Sequence, residues 1–346
     1  MQDMSLEKPD RSIGAAVVTF NAADVICGCL DSLMELHGCR ARVLVVDNAS
    51  NDETVAVVRN WGAGRLDADG APLLGEEEPG GPRSGAQVVL LHSGINRGFA
   101  GGVNLGLARL AEEAEIKHFW VLNPDAFADA GAGLAILAAA KKQPGYGLMG
   151  GRVCYAGPAP QRVQIDGGLV NFWTGVTSNC NIGRDQATAA LPRAEELDFI
   201  TGANMVASRR FYESVGPMRE DYFLYYEEVD WALRRGALPL VVADGFIVYH
   251  HAGTSIGSPT IERMASPFAF WFKYRSRMMF MRRFRPLALP IAMGYATAKA
   301  AQLALQGAAP QARALLSAVY GLPAPKAVRT RLSPDAQRIV FGKDAS

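Results

Sequence analysis

The sequence predicts an α/β fold built on a mostly parallel central sheet with helices on both faces. Apolar runs of strand length alternate with helical stretches through the first 125 residues. That alternation is the signature of successive βα units. The runs are continuously apolar, as strands buried on both faces must be. Polar residues then gather where the runs end, which is where open parallel sheets bind ligands.

Ile13-Gly-Ala-Ala-Val-Val-Thr-Phe20 reads as the first strand and Ala23 to Leu36 as its helix. Val43 to Val46 forms a second strand ending at Asp47-Asn48, and Asp52 to Trp61 a helix with Ser50 or Asn51 as N-cap. Residues 62–86 are rich in Gly, Pro and acids, which predicts a mobile loop. Gln87 to His92 is a third strand, Gly98 to Glu113 a helix, and His118 to Leu122 a fourth strand. Much later Val241 to Tyr249 reads as a strand entering His250-His251-Ala-Gly-Thr-Ser255. No internal repeat is visible. The expected division is an α/β domain over 1–262 and a basic helical extension over 263–346.

With 346 residues, 49% apolar and 20% charged, the chain has a globular composition and can bury a sizeable core. Its net charge of +1 hides an asymmetry, because residues 263–346 hold 14 Lys/Arg against only Asp335 and Asp344. An acidic body with a basic tail suggests an anionic partner surface. Cys27, Cys29, Cys39, Cys154 and Cys180 show no zinc spacing and read as reduced thiols. Met1 to Arg11 has no apolar signal core, and the apolar stretch Pro286 to Ala298 is too short to span a bilayer. The expectation is a cytoplasmic protein, peripheral on the inner face of the plasma membrane.

Four strand ends converge in composition: Thr19 with Asn21, Asp47, Asn96-Arg97-Gly98, and Asn123-Pro124-Asp125. Asn48 and Ser50 fit better as turn residues. Gly98, Gly101 and Gly102 either ease helix packing or let backbone approach a phosphate at a helix N-terminus. No Gly-x-Gly-x-x-Gly follows the first strand, so this is not a dinucleotide fingerprint. The other feature is Asp221-Tyr-Phe-Leu-Tyr-Tyr-Glu-Glu-Val-Asp-Trp231. Acids set directly against aromatic rings are desolvated, which raises a carboxyl pKa and tunes a general base. The alternative is that they simply favour a helix start, where negative charge is welcome.

Val17-Val-Thr-Phe-Asn21, Val45-Val-Asp-Asn-Ala-Ser-Asn-Asp52, Asn96-Arg-Gly-Phe-Ala-Gly-Gly-Val-Asn104, Leu122-Asn-Pro-Asp125, Thr201-Gly-Ala203 and Tyr226-Glu-Glu-Val-Asp230 occur in that order. Together they resemble the family-two inverting glycosyltransferases of the GT-A fold, in the rhamnosyltransferase-like branch, over residues 13–285. The resemblance implies a nucleotide-sugar donor, with dTDP-rhamnose suggested by the branch, and single-displacement transfer to a cell-envelope glycan or lipid-linked acceptor. Thr19, Asn21 and Asp47 would hold the nucleoside; Asn96, Arg97, Gly98 and Asn104 would line the donor site. Asn123 and Asp125 stand at the family's metal-binding Asp-x-Asp, leaving Asp125 as the firm ligand of Mg²⁺ or Mn²⁺ and Asn123 as a weak one. Glu227-Glu228 replaces the family's Glu-Asp, making Glu228 the base and Glu227 the residue that orients or binds acceptor. Asp230 is the helix-start or supporting acid. His250 matches a family histidine that helps hold metal and diphosphate, in preference to His251.

Trp173 and Trp231 either stack on sugar or pack in the core, and core packing is the expectation for both. Two rivals stay open: a nucleotidyltransferase, and a catalytically silent glycosyltransferase-like subunit that the missing first metal-motif acid keeps alive. In the tail, Phe268 to Arg285 interleaves aromatic and Met residues with Lys273, Arg275, Arg277, Arg282, Arg283 and Arg285, without an acid. That pattern reads as an interfacial element on anionic lipid, the alternative being a solvated basic face on a packed helix. Arg275 or Arg277 could instead bind an acceptor phosphate. Nucleic acid is not expected, since no reading motif accompanies the charge.

Overall fold

The computed structural model describes residues 9–157, 161–251 and 264–342. Its strands are β1 (Ile13–Thr19), β2 (Arg42–Asp47), β3 (Leu74–Glu77), β4 (Val88–His92), β5 (His118–Leu122), β6 (Ala126–Ala128), β7 (Leu148–Tyr155), β8 (Val163–Ile165), β9 (Gly168–Val170), β10 (Thr177–Asn179), β11 (Asn204–Ser208) and β12 (Leu240–His250). Its helices are α1 (Ile26–Met34), α2 (Thr54–Gly62), α3 (Gly98–Ala111), α4 (Ala132–Lys142), α5 (Arg209–Val215), α6 (Glu227–Leu233), α7 (Pro267–Phe284), α8 (Leu289–Leu305), α9 (Ala309–Tyr320), α10 (Lys326–Arg329) and α11 (Pro334–Phe341). The expected Ala252 to Ser255 segment after His251 lies outside the described residues.

The main sheet runs β3-β4-β2-β1-β5-β11-β7-β12-β6, with β8 paired to β7. The β3-β4-β2-β1-β5 half is parallel throughout, while β11 runs antiparallel between β5 and β7. Strand β1 is fully buried because helices cover both faces, which accounts for its unbroken apolar run. The chain winds outward from β1 through β2 to β4, then returns to add β5 on the other side of β1. That reversal opens a crevice at the carboxyl ends of β1 and β5, where Asn21 and Asp125 follow.

The sheet separates two cores. One holds α1 and α4 against Val17, Val45 and Trp120; the other holds α3, α6 and the C-terminal helices against Val18, Val46 and Val121. Helix α3 lies close on the sheet because Gly102 leaves no side chain there: a Cβ would sit 2.5 Å from Val18 Cγ1.

Three expectations need correction. Residues 62–86 are not simply a loop, because β3 pairs in parallel with β4 at the sheet edge. Its Glu77 is buried and accepts from Arg109 of α3 at 2.9 Å. Neither Ser50 nor Asn51 caps α2; Asp52 accepts the Thr54 N–H at 3.0 Å instead. The residues of 268–285 that were to enter lipid point inward: Phe268, Trp271, Phe272, Tyr274, Met278, Phe280 and Met281 are all buried. Phe272 stacks on Phe223 with centroids 5.4 Å apart, and Phe280 lies 5.5 Å from Tyr226. Helix α7 therefore shares one core with the α/β body, although the expected domain boundary falls just before it. All five cysteines are free.

Candidate active site

The loops after β1 and β2 are stitched together. Asn21 adopts a left-handed conformation, φ 53°, and its side-chain oxygen accepts the Asn51 N–H at 2.9 Å. Its own N–H donates to Ser50 Oγ at 3.1 Å, and Asp47 Oδ1 accepts the Ser50 N–H at 3.2 Å. Asp47 thus stands at the floor of a cradle walled by Asn21 and Ser50. Thr19, expected to hold nucleoside, is fully buried, and its hydroxyl donates to the Val46 carbonyl at 3.3 Å. It shapes the strand end.

Asn48, read as a turn residue, is a buried bracket for the loop before α3. Its amide donates to the Gly98 carbonyl at 2.9 Å, and its oxygen accepts the Arg97 N–H at 2.9 Å. Asn96 accepts the Gly98 N–H at 2.9 Å, so its side chain holds the turn as well. Gly98 has φ +73°, and a Cβ there would lie 2.3 Å from the Phe223 carbonyl. That close approach lets the Phe99 N–H donate to the same carbonyl at 2.8 Å, locking α3 onto the segment that leads to the acids. Arg97 Nε is buried without a partner, a donor left for an anion. Asn104 is spent elsewhere: its amide donates to the Met218 carbonyl at 2.8 Å and to Glu220 at 2.9 Å, and its oxygen accepts the Met218 N–H at 2.9 Å. It ties down the 218–220 loop.

Asp125 and His250, 125 positions apart, meet at the ends of β5 and β12 with Oδ1 to Nε2 at 3.0 Å. Asn123 Nδ2 lies 3.2 Å from the same imidazole nitrogen. Gln164 of β8 faces the other ring nitrogen, with its Oε1 2.8 Å from His250 Nδ1, and so fixes the orientation of the imidazole. Nothing in the sequence marked Gln164. His251 is exposed and turns its ring toward Phe127, which leaves His250 as the inward one. Neighbouring ligands of an octahedral ion bound at ~2.1 Å stand about 3 Å apart, so the Asp125–His250 separation fits a small divalent cation. No group of three or more such ligands occurs among the described residues.

The acids open α6 after a strained turn. Phe223, Tyr225 and Tyr226 have φ of 64°, 67° and 70°, a region bulky residues avoid. Helix α7 holds this turn: Arg275 donates to the Asp221 carbonyl at 3.0 Å, Ser276 to the Leu224 carbonyl at 2.8 Å, and Arg277 Nε to the Tyr226 hydroxyl at 3.0 Å. Arg275 and Arg277 are thereby tied to protein, although Arg277 Nη1 has no partner. Glu227 is buried and Glu228 half-buried, and each keeps an unpartnered Oε2. Burial, reinforced by the Glu228 charge, pushes the Glu227 carboxyl well above the usual range. Burial also raises Glu228, but backbone N–H groups at the helix start and the Lys273 ammonium oppose it. The two carboxyls titrate as a pair, both raised. Lys273, whose proximity to the acids the sequence did not reveal, is itself pushed down to about 8 by burial and the Arg277 charge.

The two halves of the site adjoin. The Asn123 N–H donates to the Ala203 carbonyl at 3.1 Å, and a Cβ on neighbouring Gly202 would lie 3.7 Å from Glu228 Cβ. Asp230 supports from behind: it accepts from Tyr222 at 3.1 Å and Arg234 at 2.7 Å, and pairs with Arg283 at 3.1 Å. Trp231 is fully buried as expected, whereas Trp173 is 67% exposed on the β9–β10 turn.

The mostly parallel central sheet with helices on both faces, its strand order reversing at β1 and β5, is the framework of the GT-A fold. The chain belongs to glycosyl transferase family 2, whose profile matches residues 15–216, more than half of it. A search of curated protein sequences returned no match. Among solved structures, GalNAc-T7 with UDP, GalNAc and Mn²⁺ is similar at 11% identity and TM-score 0.54, over 84% of this chain and 51% of that one. The mannosyltransferase PcManGT from Pyrobaculum calidifontis, in complex with GDP-Man and Mn²⁺, is similar at 17% identity and TM-score 0.49, over 97% and 84%. TarS 1–349 of S. aureus follows at 12% identity and TM-score 0.45, over 81% and 69%. This chain therefore spans about half the length of the GalNAc-T7 chain.

Proposed function

We propose that this protein is a metal-assisted inverting glycosyltransferase that moves a sugar from a nucleotide-diphosphate donor to a cell-envelope glycan or lipid-linked acceptor. One observation carries the reading: the Asp125–His250 pair at 3.0 Å adjoins the buried Glu227 and half-buried Glu228, each of which keeps an unpartnered oxygen. In this reading Asn21 and Asp47 take the nucleoside, and Arg97 offers its unpartnered Nε to the diphosphate. Asp125 and His250 would hold Mg²⁺ or Mn²⁺, which when bound would supply counter-charge to the diphosphate. Glu228 accepts the acceptor hydroxyl proton on its free oxygen. The hydroxyl oxygen then attacks the anomeric carbon from the face opposite the diphosphate, and the bond from that carbon to the phosphate oxygen breaks, inverting the centre. Glu227, protonated, donates to the acceptor and orients it. Lys273 keeps Glu228 ionised. The retained acid pair favours catalysis over a silent binding subunit.

The resembled branch makes dTDP-rhamnose the first donor to try. Purified protein with Mn²⁺ and a panel of labelled nucleotide sugars, with the product anomer read by NMR, tests the proposal. An inverted product from one donor is expected. A retained anomer, or no consumption of any donor with any acceptor, overturns it.

A further inference from the structure

Helix α8 presents its apolar residues to solvent. Its inner face, Ala292, Ala296, Ala300 and Leu303, is small and buried against the body of the protein. Its outer face should then be polar if water covered it. Instead Ile291 is 49% and Tyr295 45% exposed on successive turns, and Leu305 at the end of the helix is 90% exposed, with Thr297 and Gln302 the exposed polar residues of the helix. Leu287, in the turn just before the helix, is 96% exposed. The helix carries no acid, and Lys299 is its only charge. A stripe of this kind is an interaction surface.

The surroundings specify the partner. Exposed Arg282 and Arg285 stand at the head of the stripe, and no Asp or Glu occurs anywhere from Arg263 to Pro334. A second copy of this chain docked stripe to stripe would bring two further arginines and no acid from 263–334 to meet them, so the interface would lack charge complementarity. An anionic lipid surface satisfies both features, taking apolar side chains at the acyl boundary and arginines at the headgroups. The helix has 17 residues and, among the described residues, none is long and apolar enough to cross a membrane, so it would lie in the interface.

The stripe also borders the catalytic end. The Arg285 guanidinium lies 4.8 Å over the Phe172 ring, next to the exposed Trp173. Three residues on, the Gly175 carbonyl accepts from the hydroxyl of Tyr226, which immediately precedes the acids. We infer that the outer face of α8, with Leu287, Arg282 and Arg285, docks the enzyme on an anionic bilayer, bringing Glu228 to an acceptor anchored there. This rests on the proposed lipid-linked acceptor only for its purpose; the docking itself needs neither donor nor acceptor.

Co-flotation of the full chain with phosphatidylglycerol-containing vesicles and with pure phosphatidylcholine vesicles tests it. Binding is expected to the anionic vesicles alone at about 0.1 M salt, and to fall at about 1 M, as the screening length drops from ~10 Å to ~3 Å. Arg282→Gln with Arg285→Gln should weaken partitioning about fivefold per arginine removed. Ile291→Glu with Leu305→Glu, both at exposed positions, should abolish it with an unchanged melting curve. Wild-type protein that ignores anionic vesicles at low salt overturns the inference. So does a wild-type dimer that Ile291→Glu with Leu305→Glu converts to monomer while vesicle binding is unaffected. Vesicle binding without transfer in the donor panel would sink the proposed activity and leave the docking surface standing.

Discussion

Replacing Glu228 by Gln keeps the side-chain shape and removes the proton acceptor. The unpartnered Oε2 of Glu228 is the oxygen available to an acceptor hydroxyl, so the loss should fall on turnover. General base catalysis is worth roughly two to four orders of magnitude, or about 3–5 kcal/mol of barrier. Donor KM should stay within about twofold, a change worth under ~0.5 kcal/mol, because α6 makes no hydrogen bond to the Asn21–Asp47–Ser50 cradle. The pH profile adds an independent readout. Activity needs the Glu228 carboxylate, so the rate should rise with pH through a value above the usual carboxylate range, since burial raises this group. Lys273 is protonated below about 8, so its charge acts throughout the acid limb. Lys273→Met removes a charge that holds Glu228 down, and the acid limb should therefore move to higher pH with the plateau rate largely kept. Steady-state kinetics from pH 5 to pH 8, about the range where raised carboxylates titrate, measures both effects. If Glu228→Gln turns over normally while Glu227→Gln is dead, the base lies one residue earlier. If both variants keep near-normal rates, a carboxylate base is refuted.

Asp125→Ala should abolish metal-dependent donor binding, and chelator should silence the wild type; full activity in excess chelator would remove the metal role of both Asp125 and His250. Gly98→Ala places a methyl group against the Phe223 carbonyl at positive φ and should cost about 2 kcal/mol, read as a lower urea midpoint, with turnover falling as α3 shifts from the acid turn. Asn104→Ala removes three buried hydrogen bonds to the 218–220 loop and should cost about 2 kcal/mol while donor KM holds; a large KM rise would return Asn104 to the donor site.

The parallel half of the sheet was legible because its strands are buried on both faces, and burial writes itself as unbroken apolar runs ending in polar residues. The same logic hid β3, whose Leu74-Gly-Glu-Glu77 reads as loop until Arg109 is seen neutralising Glu77 from α3. Asp125 and His250 each ended a strand, but only the family resemblance connected them, since strand order fixes who meets whom and composition does not. Thr19 and Asn104 matched motif positions yet point into the protein, because a motif preserves the backbone path as well as ligand contacts. Helix α7 misled for a simpler reason. Aromatic and basic residues interleave on an interfacial helix and equally on a buried one whose cations bond to carbonyls and rings. Arg275 does the first at the Asp221 carbonyl, and Arg277 lies 4.3 Å over the Tyr274 ring. What decides between them is the partner surface, here Phe223 and Tyr226, which lies some 50 residues upstream.

That partner surface also explains why the C-terminal helices share a core with the segment that carries Glu227 and Glu228. Three bulky residues at positive φ cost of order 1–2 kcal/mol each, so an isolated 221–228 segment would relax and turn its acids away. The strain is offset from two sides: by α3, where Gly98 admits the Phe99 bond to the Phe223 carbonyl, and by α7, through Arg275, Ser276 and Arg277. Asp230 closes the arrangement by binding Arg283 of α7 while it holds Arg234 within α6. The carboxylates are therefore aimed by a helix that contributes Lys273 to their electrostatics and leads directly into the exposed α8 stripe. A perturbation of α7 should reach Glu227 and Glu228 through the strained turn before it reaches Asn21, Asp47 and Ser50, whose side-chain hydrogen bonds join the loops after β1 and β2.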